Sequence, residues 1–336
     1  MKYYKILVIQ TAFIGDVILI TPLIKALKDK YTNSLIDVMV IPKCAEILYN
    51  NPYINKIHVF DKKNMNFIDF YKFILMIKLE KYDISISPHS SLRSALIPFL
   101  ANIKHRIGFK RYLQKYLLTK SVLHKKNIHK IKKNLALINA DNLDYNSMLF
   151  PVQENQNKIN NILDSLVLKK HIVVVAPGSV WFTKKWPIEK YIELIKKLIL
   201  HDCFIILIGA KDEVVSCNHI VNSFNDSDPI ISVAGDCTIL DSAALIQKAD
   251  LVISNDSGAL HIANAVDTTV YAFFGPTTKN IGYFPYRKND FVFEVDLNCR
   301  PCGSHGGKKC PQKHFNCMKL ITVDEVLIKI VDMLNL

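Results

Sequence analysis

The chain alternates. Short β-branched runs are followed by longer stretches in which apolar residues recur at helical spacing, and the alternation happens twice. In the first half, "YKILVIQ" (4–10), "LIDVMVI" (35–41), "KIHVFD" (56–61) and "YDISISP" (82–88) read as strands. Helical patterns run to Lys30, through "FIDFYKFILMIKLEK" and through "SLRSALIPFLANI" (91–103). The polar stretch "VQENQNKINN" (152–161) interrupts, and the pattern restarts. "HIVVVAP" (171–177), "CFIILIGA" (203–210), "DLVISN" (250–255) and "TTVYAFFG" (268–275) are the next strands. Helical segments from 187, 212, 241 and 258 lie among them, and a last one covers 322–336. Parallel strands need long crossovers, so this alternation dictates an α/β fold with doubly wound parallel sheets.

Two such units are expected, at 1–163 and 164–321, with helix 322–336 packing back on the first. The 336 residues, half of them hydrophobic, are enough for two cores. Ligands of such sheets bind outside the carboxyl ends of the strands. The strand-to-helix turns, facing each other across a cleft, are therefore where chemistry is expected.

The first turn, within "IQTAFIGDVILITPL", carries one carboxylate, Asp16, beside Gly15. A charge in an apolar run must sit at an edge, because burying it unpaired is costly. A helix N-cap and a functional acid account for Asp16 equally well. Thr21-Pro22 offers a second place where the helix can begin.

In the second half, "ISNDSGALHIANA" ends a strand and opens a helix through Asn255, Asp256, Ser257 and Gly258. Backbone N–H groups at such a start bind phosphate. His261 falls about one turn further on and can face the same spot. "PGSVWFTKKWP" makes a similar turn, with Thr183, Lys184 and Lys185 before Trp186-Pro187. A lysine there complements a phosphate as a point charge. The chain has no G-x-G-x-x-G and no G-x-x-x-x-G-K-[ST], which argues against common dinucleotide enzymes and P-loop NTPases.

The net charge of +13 is concentrated. Residues 104–133 hold 11 Lys or Arg and no Asp or Glu, leaving +2 for the rest. Such a patch predicts an acidic partner: nucleic acid, an anionic membrane surface or a phosphorylated substrate. Aromatic residues lie within it, but no nucleic-acid motif does. A basic N-terminus ahead of an apolar stretch resembles a secretory signal. Asp16 interrupts it, however, and no cleavage site follows. With no charge-free run of spanning length, a cytoplasmic protein is expected. Cys44, Cys203, Cys217 and Cys237 lie in or near apolar stretches and are expected to be reduced thiols. Cys299, Cys302, Cys310 and Cys317 form a C-x₂-C-x₇-C-x₆-C cluster with His305 and His314 inside it. The first pair has zinc-ligand spacing and the second is wider than in ordinary zinc modules. Structural zinc and reduced or redox-labile thiols both fit, and no catalytic metal is assigned.

Four segments together resemble the ADP-heptose:lipopolysaccharide heptosyltransferases of glycosyltransferase family 9. They are "ILVIQTAFIGDVILITPLIKAL", "HSSLRSALIPFLANIKHRIGF", "APGSVWFTKKWP" and "VISNDSGALHIANAV" with "VYAFFGPT". The block from Leu92 to Phe109 is most similar to the heptosyltransferase II branch. The resemblance implies a GT-B fold of two Rossmann-like domains and inverting transfer of heptose from ADP-heptose to the lipopolysaccharide inner core. It implies Asp16 as general base and Lys184 as the phosphate-binding lysine. Asp256, Ser257, Gly258 and His261 match its donor-binding D-[TS]-G-x-x-H motif, and Glu213 is placed to hold ribose hydroxyls. Gly15 and Thr183 join the donor set, and Arg93 is assigned to the acceptor. Relatives carry hydroxyls near Thr11 and Ala12, and Ala12 cannot donate. Similar cysteines recur in the family. No cofactor is implied. The expected acceptor is a phosphorylated lipid A–core glycolipid, with the protein peripheral on the inner membrane face. Residues 104–133, including Lys125, Lys126, Lys130 and Lys132, are expected to face that membrane, with no nucleic-acid partner. The competing readings are a family 9 enzyme with another nucleotide sugar or acceptor, and a basic nucleic-acid-binding protein.

Overall fold

The structure, a computed structural model, describes residues 4–167 and 169–336, with Tyr112 described by its backbone. The chain divides into two compact units, Met1–Phe150 and Pro151–Leu336.

The first unit runs β1 (Lys5–Ile9), α1 (Ile14–Ile18), α2 (Thr21–Lys30), β2 (Leu35–Val40), β3 (Lys56–Val59) and α3 (Phe67–Leu79). It continues through β4 (Ile84–Ser87), α4 (Leu92–Leu100), β5 (His105–Phe109), β6 (Lys120–Val122) and α5 (Lys130–Ala136). Its six strands are parallel in the order β3-β2-β1-β4-β5-β6. Ile6, Leu7, Val8 and Ile9 are all fully buried. Helices cover both faces of a parallel sheet, which is why β1 reads as a continuous apolar run with no alternation.

The second unit runs α6 (Gln153–Asp164), β7 (His171–Ala176), α7 (Ile188–Leu200), β8 (Cys203–Leu207), α8 (Val214–Val221), β9 (Ile230–Ser232) and α9 (Ile239–Ile246). It continues through β10 (Leu251–Asn255), α10 (Gly258–Ala265), β11 (Val270–Phe273), β12 (Phe291–Phe293), α11 (Asn316–Lys319) and α12 (Val323–Leu334). Its sheet order is β12-β11-β10-β7-β8-β9, again parallel throughout. Each sheet reverses its winding once, between β1 and β4 in the first and between β7 and β10 in the second. Those reversals are where open α/β sheets take their ligands.

Several expectations are corrected. The division falls after Phe150 rather than at 163. The polar stretch expected as a transition is α6, and it packs on α9 of the second unit. Asn155 Nδ2 and Lys158 Nζ both donate to the Asp241 carboxylate, at 2.8 and 2.6 Å. The C-terminal helix belongs to the second unit. Val323, Val326, Ile330 and Leu334 of α12 are buried in the second core, beside α7. Each contributes roughly 1.5–3 kcal/mol by burial. Strands β5, β6, β9 and β12 were not read from the sequence.

The basic segment is only partly a surface patch. Lys130 and Lys133 are buried. Arg106 donates to the carbonyls of Leu117 and Ile103. Lys125 pairs with Asp141 and Lys132 with Asp144. Lys104, Lys110, Arg111, Lys115, Lys120 and Lys126 are exposed.

Candidate functional site

In the second unit, the turn after β7 is held by Trp186. Its ring is buried, stacked on Phe273 at 4.3 Å and set edge-on to Tyr191 at 5.0 Å. Its ring N–H donates to the Ile321 carbonyl at 3.3 Å. This anchor presents the preceding residues, Thr183 and Lys184, at the carboxyl edge of the sheet.

Asn255, at the end of β10, ties that turn to its neighbours. Its Oδ1 accepts from the Trp186 backbone N–H (2.9 Å) and the Tyr191 hydroxyl (3.2 Å). Its Nδ2 donates to the carbonyls of Pro177 (2.8 Å) and Gly178 (3.2 Å). A fully buried amide satisfied at both ends fixes the two ligand-side loops against each other.

The next residue, Asp256, accepts from Lys184 Nζ at 2.5 Å and from the Thr277 hydroxyl at 2.6 Å. Lysine and carboxylate are 13% and 7% exposed, so the ammonium is oriented rather than swinging in water. Ser257 then caps α10 by position, with its hydroxyl 3.2 Å from that of Ser254 rather than on the helix backbone. The first N–H groups of α10, from Gly258 on, have no carbonyl one turn back. The ammonium and the helix start thus form one positively polarised corner suited to phosphate oxygens. His261 is buried one turn along α10, its ring edge-on to Tyr283 at 6.2 Å.

Glu213 lies beyond β8, its Oε2 accepting from the Ala210 N–H at 3.0 Å. Burial pushes its carboxyl up, opposed by that backbone hydrogen bond and, less strongly, by Lys185. A Cβ on Gly178 would stand 1.8 Å from Glu213 Oε1, so a residue with a side chain at 178 would expel the carboxylate.

Thr183 exchanges two hydrogen bonds with Gly307. Its N–H donates to the Gly307 carbonyl (3.1 Å), and its hydroxyl accepts from the Gly307 N–H (2.7 Å). The cysteine-bearing loop is therefore laid on the lysine turn. Within it, Cys299 Sγ is 3.9 Å from His314 Nε2. Among the described residues no three His, Cys, Asp or Glu side chains are grouped to hold a metal ion.

In the first unit, Asp16 is the third residue of α1 and half-buried. Phe13 holds the cap position, so Asp16 is not the N-cap. Neither expected helix start is complete on its own: α1 ends at Ile18 and α2 begins at Thr21, whose hydroxyl donates to the Ile18 carbonyl at 2.8 Å.

Around Asp16 are groups the sequence did not place there. Burial pushes the Lys130 ammonium down, and the Asp16 carboxylate opposes this. Lys130 Nζ stands 5.6 Å from the centre of the Phe109 ring. His89, which follows β4, is also pushed down by burial, again opposed by Asp16. Its Nδ1 is 2.9 Å from the Thr11 hydroxyl, and Ser94 Oγ is 3.3 Å from both. Thr11 therefore turns its hydroxyl to His89 and Ser94. Lys62 Nζ donates to the Thr11 carbonyl at 3.0 Å. Gln10, just after β1, is 1% exposed, and neither amide atom has a hydrogen-bond partner among the described residues. Arg93 is exposed in the first turn of α4 and donates to the Lys62 carbonyl at 3.3 Å.

The pattern of glycosyltransferase family 9 (heptosyltransferase) matches residues 70–314. The chain belongs to glycosyltransferase family 9. Lipooligosaccharide heptosyltransferase 2 of Haemophilus influenzae is 29% identical, over 82% of this chain and 84% of its own length. Lipopolysaccharide heptosyltransferase 2 of Salmonella typhimurium is 26% identical, over 82% and 83%. The solved structure of E. coli ADP-heptose LPS heptosyltransferase II superposes with a TM-score of 0.82, covering 98% of both chains at 24% identity. The fold of this family 9 glycosyltransferase is accordingly GT-B, as its two parallel six-stranded sheets require.

Of the anticipated residues, the second unit brings together Thr183, Lys184, Asp256, Ser257 and Gly258. Glu213 joins them through Gly178, and His261 lies one turn behind. Gly15 and Asp16 sit together in the first unit. Thr277, Gly178 and His89 were missed, Asn255 was read only as part of the turn, and Lys130 was expected on the membrane-facing segment. Gly178 had a signal, a glycine directly after a strand. The others act through contacts distant in sequence.

Proposed function

We propose that this enzyme transfers heptose from ADP-heptose, with inversion, to the lipopolysaccharide inner core, in the manner of a heptosyltransferase II. The observation that supports the reading is the Lys184–Asp256 pair at the head of α10, a corner suited to phosphate oxygens. The names of the relatives supply the sugar and the acceptor.

In this reading an acceptor hydroxyl attacks the anomeric carbon. A carbon–oxygen bond forms as the bond to the diphosphate oxygen breaks, and ADP leaves with the electron pair. Asp16 takes the hydroxyl proton. General-base assistance of this kind is worth about 10²–10⁴ in rate. Lys184, the Ser257 hydroxyl and the N–H groups at Ser257 and Gly258 meet the charge that develops on ADP. A donor aimed at developing charge contributes roughly 3–4 kcal/mol, against about 0.3–2 kcal/mol for the helix dipole alone. Gly15 and Thr183 complete the donor contacts, Glu213 holds the ribose and His261 shapes the pocket behind. Arg93 meets the acidic acceptor. The protein works at the cytoplasmic face of the inner membrane, held peripherally. Among the described residues no helix is long and apolar enough to cross a membrane.

The test is Asp16→Asn, assayed by ADP release with truncated core lipids as acceptors. Turnover is expected to fall by about 10²–10⁴, with ADP affinity by calorimetry unchanged. Retained turnover would overturn the role of Asp16. Turnover on another acceptor class alone would overturn the inner-core reading.

A further inference from the structure

Helix α3 is apolar on both sides. Phe73, Ile74 and Ile77 are buried against the first sheet. The opposite side carries Phe67, Ile68, Tyr71, Leu75, Met76 and Leu79, exposed by 36–85%. At 3.6 residues per turn these six fall within one arc of about 180°, with the exposed Lys72 and Lys78 interleaved among them. A helix apolar all round is normally buried all round. Here half of its apolar surface faces outward. The neighbouring α4 extends the surface with Leu92, Phe99 and Leu100, each more than 40% exposed. A contiguous patch of this kind marks an interaction face.

The charges around it select the partner. Lys63, Lys72, Lys78 and Lys81 are exposed along or beside the helix. The acids are turned to local partners: Asp69 forms the helix capping box with Asn66, and Glu80 pairs with Lys5 and Lys56. Lysine is depleted from protein–protein interface cores. At a bilayer it lays its stem along apolar surface and lifts its ammonium to the phosphates. Position agrees. α3 follows the carboxyl end of β3, so Phe67 and Ile68 lie toward the sheet edge that carries Asp16 and His89. Lys62, in the loop between, reaches the Thr11 carbonyl. At about 20 Å the helix is long enough to lie in an interface and too short to span one.

We propose that the outer face of α3 seats this protein on an anionic phospholipid bilayer, its axis in the plane of the headgroups. The proposal deepens the reading that the acceptor is a membrane glycolipid, and it names the element that meets the membrane.

The experiment compares the full chain with the variant Ile68→Ser/Leu75→Gln/Leu79→Gln, whose changes lie on exposed positions, and with Lys72→Glu/Lys78→Glu. The probe is co-sedimentation with vesicles of mixed phosphatidylethanolamine and phosphatidylglycerol, with phosphatidylcholine vesicles as the neutral control. The full chain is expected to bind the anionic vesicles, and each variant to bind at least about tenfold more weakly. The unfolding midpoint and ADP affinity are expected to stay unchanged. Unaltered vesicle binding in both variants would overturn the proposal. So would a dimer of the full chain that the apolar variant dissolves while vesicle binding persists, because the face would then belong to a second copy. Loss of vesicle binding in the variants supports the proposal even where heptose transfer to core lipids fails, an outcome that counts against the function alone.

Discussion

At the scale of single residues, Asp16 was legible as a charge out of place. Its surroundings were not, because Lys130 and His89 come to it from elements far along the chain. A buried lysine costs stability, since desolvation disfavours the charged form. Lys130 is 8% exposed, with its ammonium held near an aromatic ring and a carboxylate. Its depressed affinity for protons means that the folded state gains stability as pH rises toward the unfolded-state value of about 10.4. Lys130→Met is therefore expected to stabilise the fold by about 1 kcal/mol and so raise the unfolding midpoint. Turnover should fall, because the acid loses the cation beside it. Calorimetry and the ADP-release assay check the two halves. A midpoint that falls would assign Lys130 to the fold rather than to the site. Lys184 makes the opposite case. Its removal leaves Asp256 buried without its ammonium partner, and such losses cost about 3–5 kcal/mol.

At the scale of elements, the long strands of both sheets were legible because burial on two faces makes them unbroken apolar runs. The edge strand β3 was read too, but the edge strands β6, β9 and β12 and the internal β5 were not. "HRIGF", "KSV" and "FVF" are short, and the last two pair along one side only, so neither period nor composition distinguishes them from loops. Helix α6 was read as a linker because few of its residues are apolar. Ionic contacts do much of the docking. Burial would push Asp241 up, but hydrogen bonds from Lys158, Asn155 and Thr238 outweigh it and hold the carboxyl down at about 2. A carboxyl depressed below its ordinary 3.8 contributes stability above that value and loses it as pH falls toward about 2. Asp241→Asn is expected to cost up to about 2 kcal/mol at neutral pH, less what water takes from the half-exposed Lys158. It should also flatten the acid limb between about pH 4 and 2. Unfolding of α6, followed by amide exchange across that range, checks it. An unchanged acid limb would mean that the docking rests on the apolar contacts of Ile159 and Leu163.

At the scale of the molecule, two tandem units could be read from the alternation, but their boundary could not. Nothing in the composition of 151–163 says which core receives it. The charge asymmetry was legible and overcounted, because sequence cannot separate a lysine in solvent from one holding a carbonyl. Six exposed cations remain within 104–126. They should favour a phosphorylated acceptor through interactions that salt screens within about 10 Å at 0.1 M. Raising salt from about 50 to about 500 mM should therefore lower kcat/KM several-fold for a phosphorylated core lipid, and far less for a dephosphorylated one. Equal salt dependence for both would remove the patch from acceptor recognition.

Both halves repeat one strand order, and each carries anticipated site residues at its own reversal point, framed by its own loops and core. In the proposed reading, all the donor residues but Gly15 lie in the second stretch of the gene and the acceptor residue Arg93 in the first. A hybrid spliced at Phe150–Pro151 from two family members should inherit its nucleotide preference from one parent and its acceptor preference from the other.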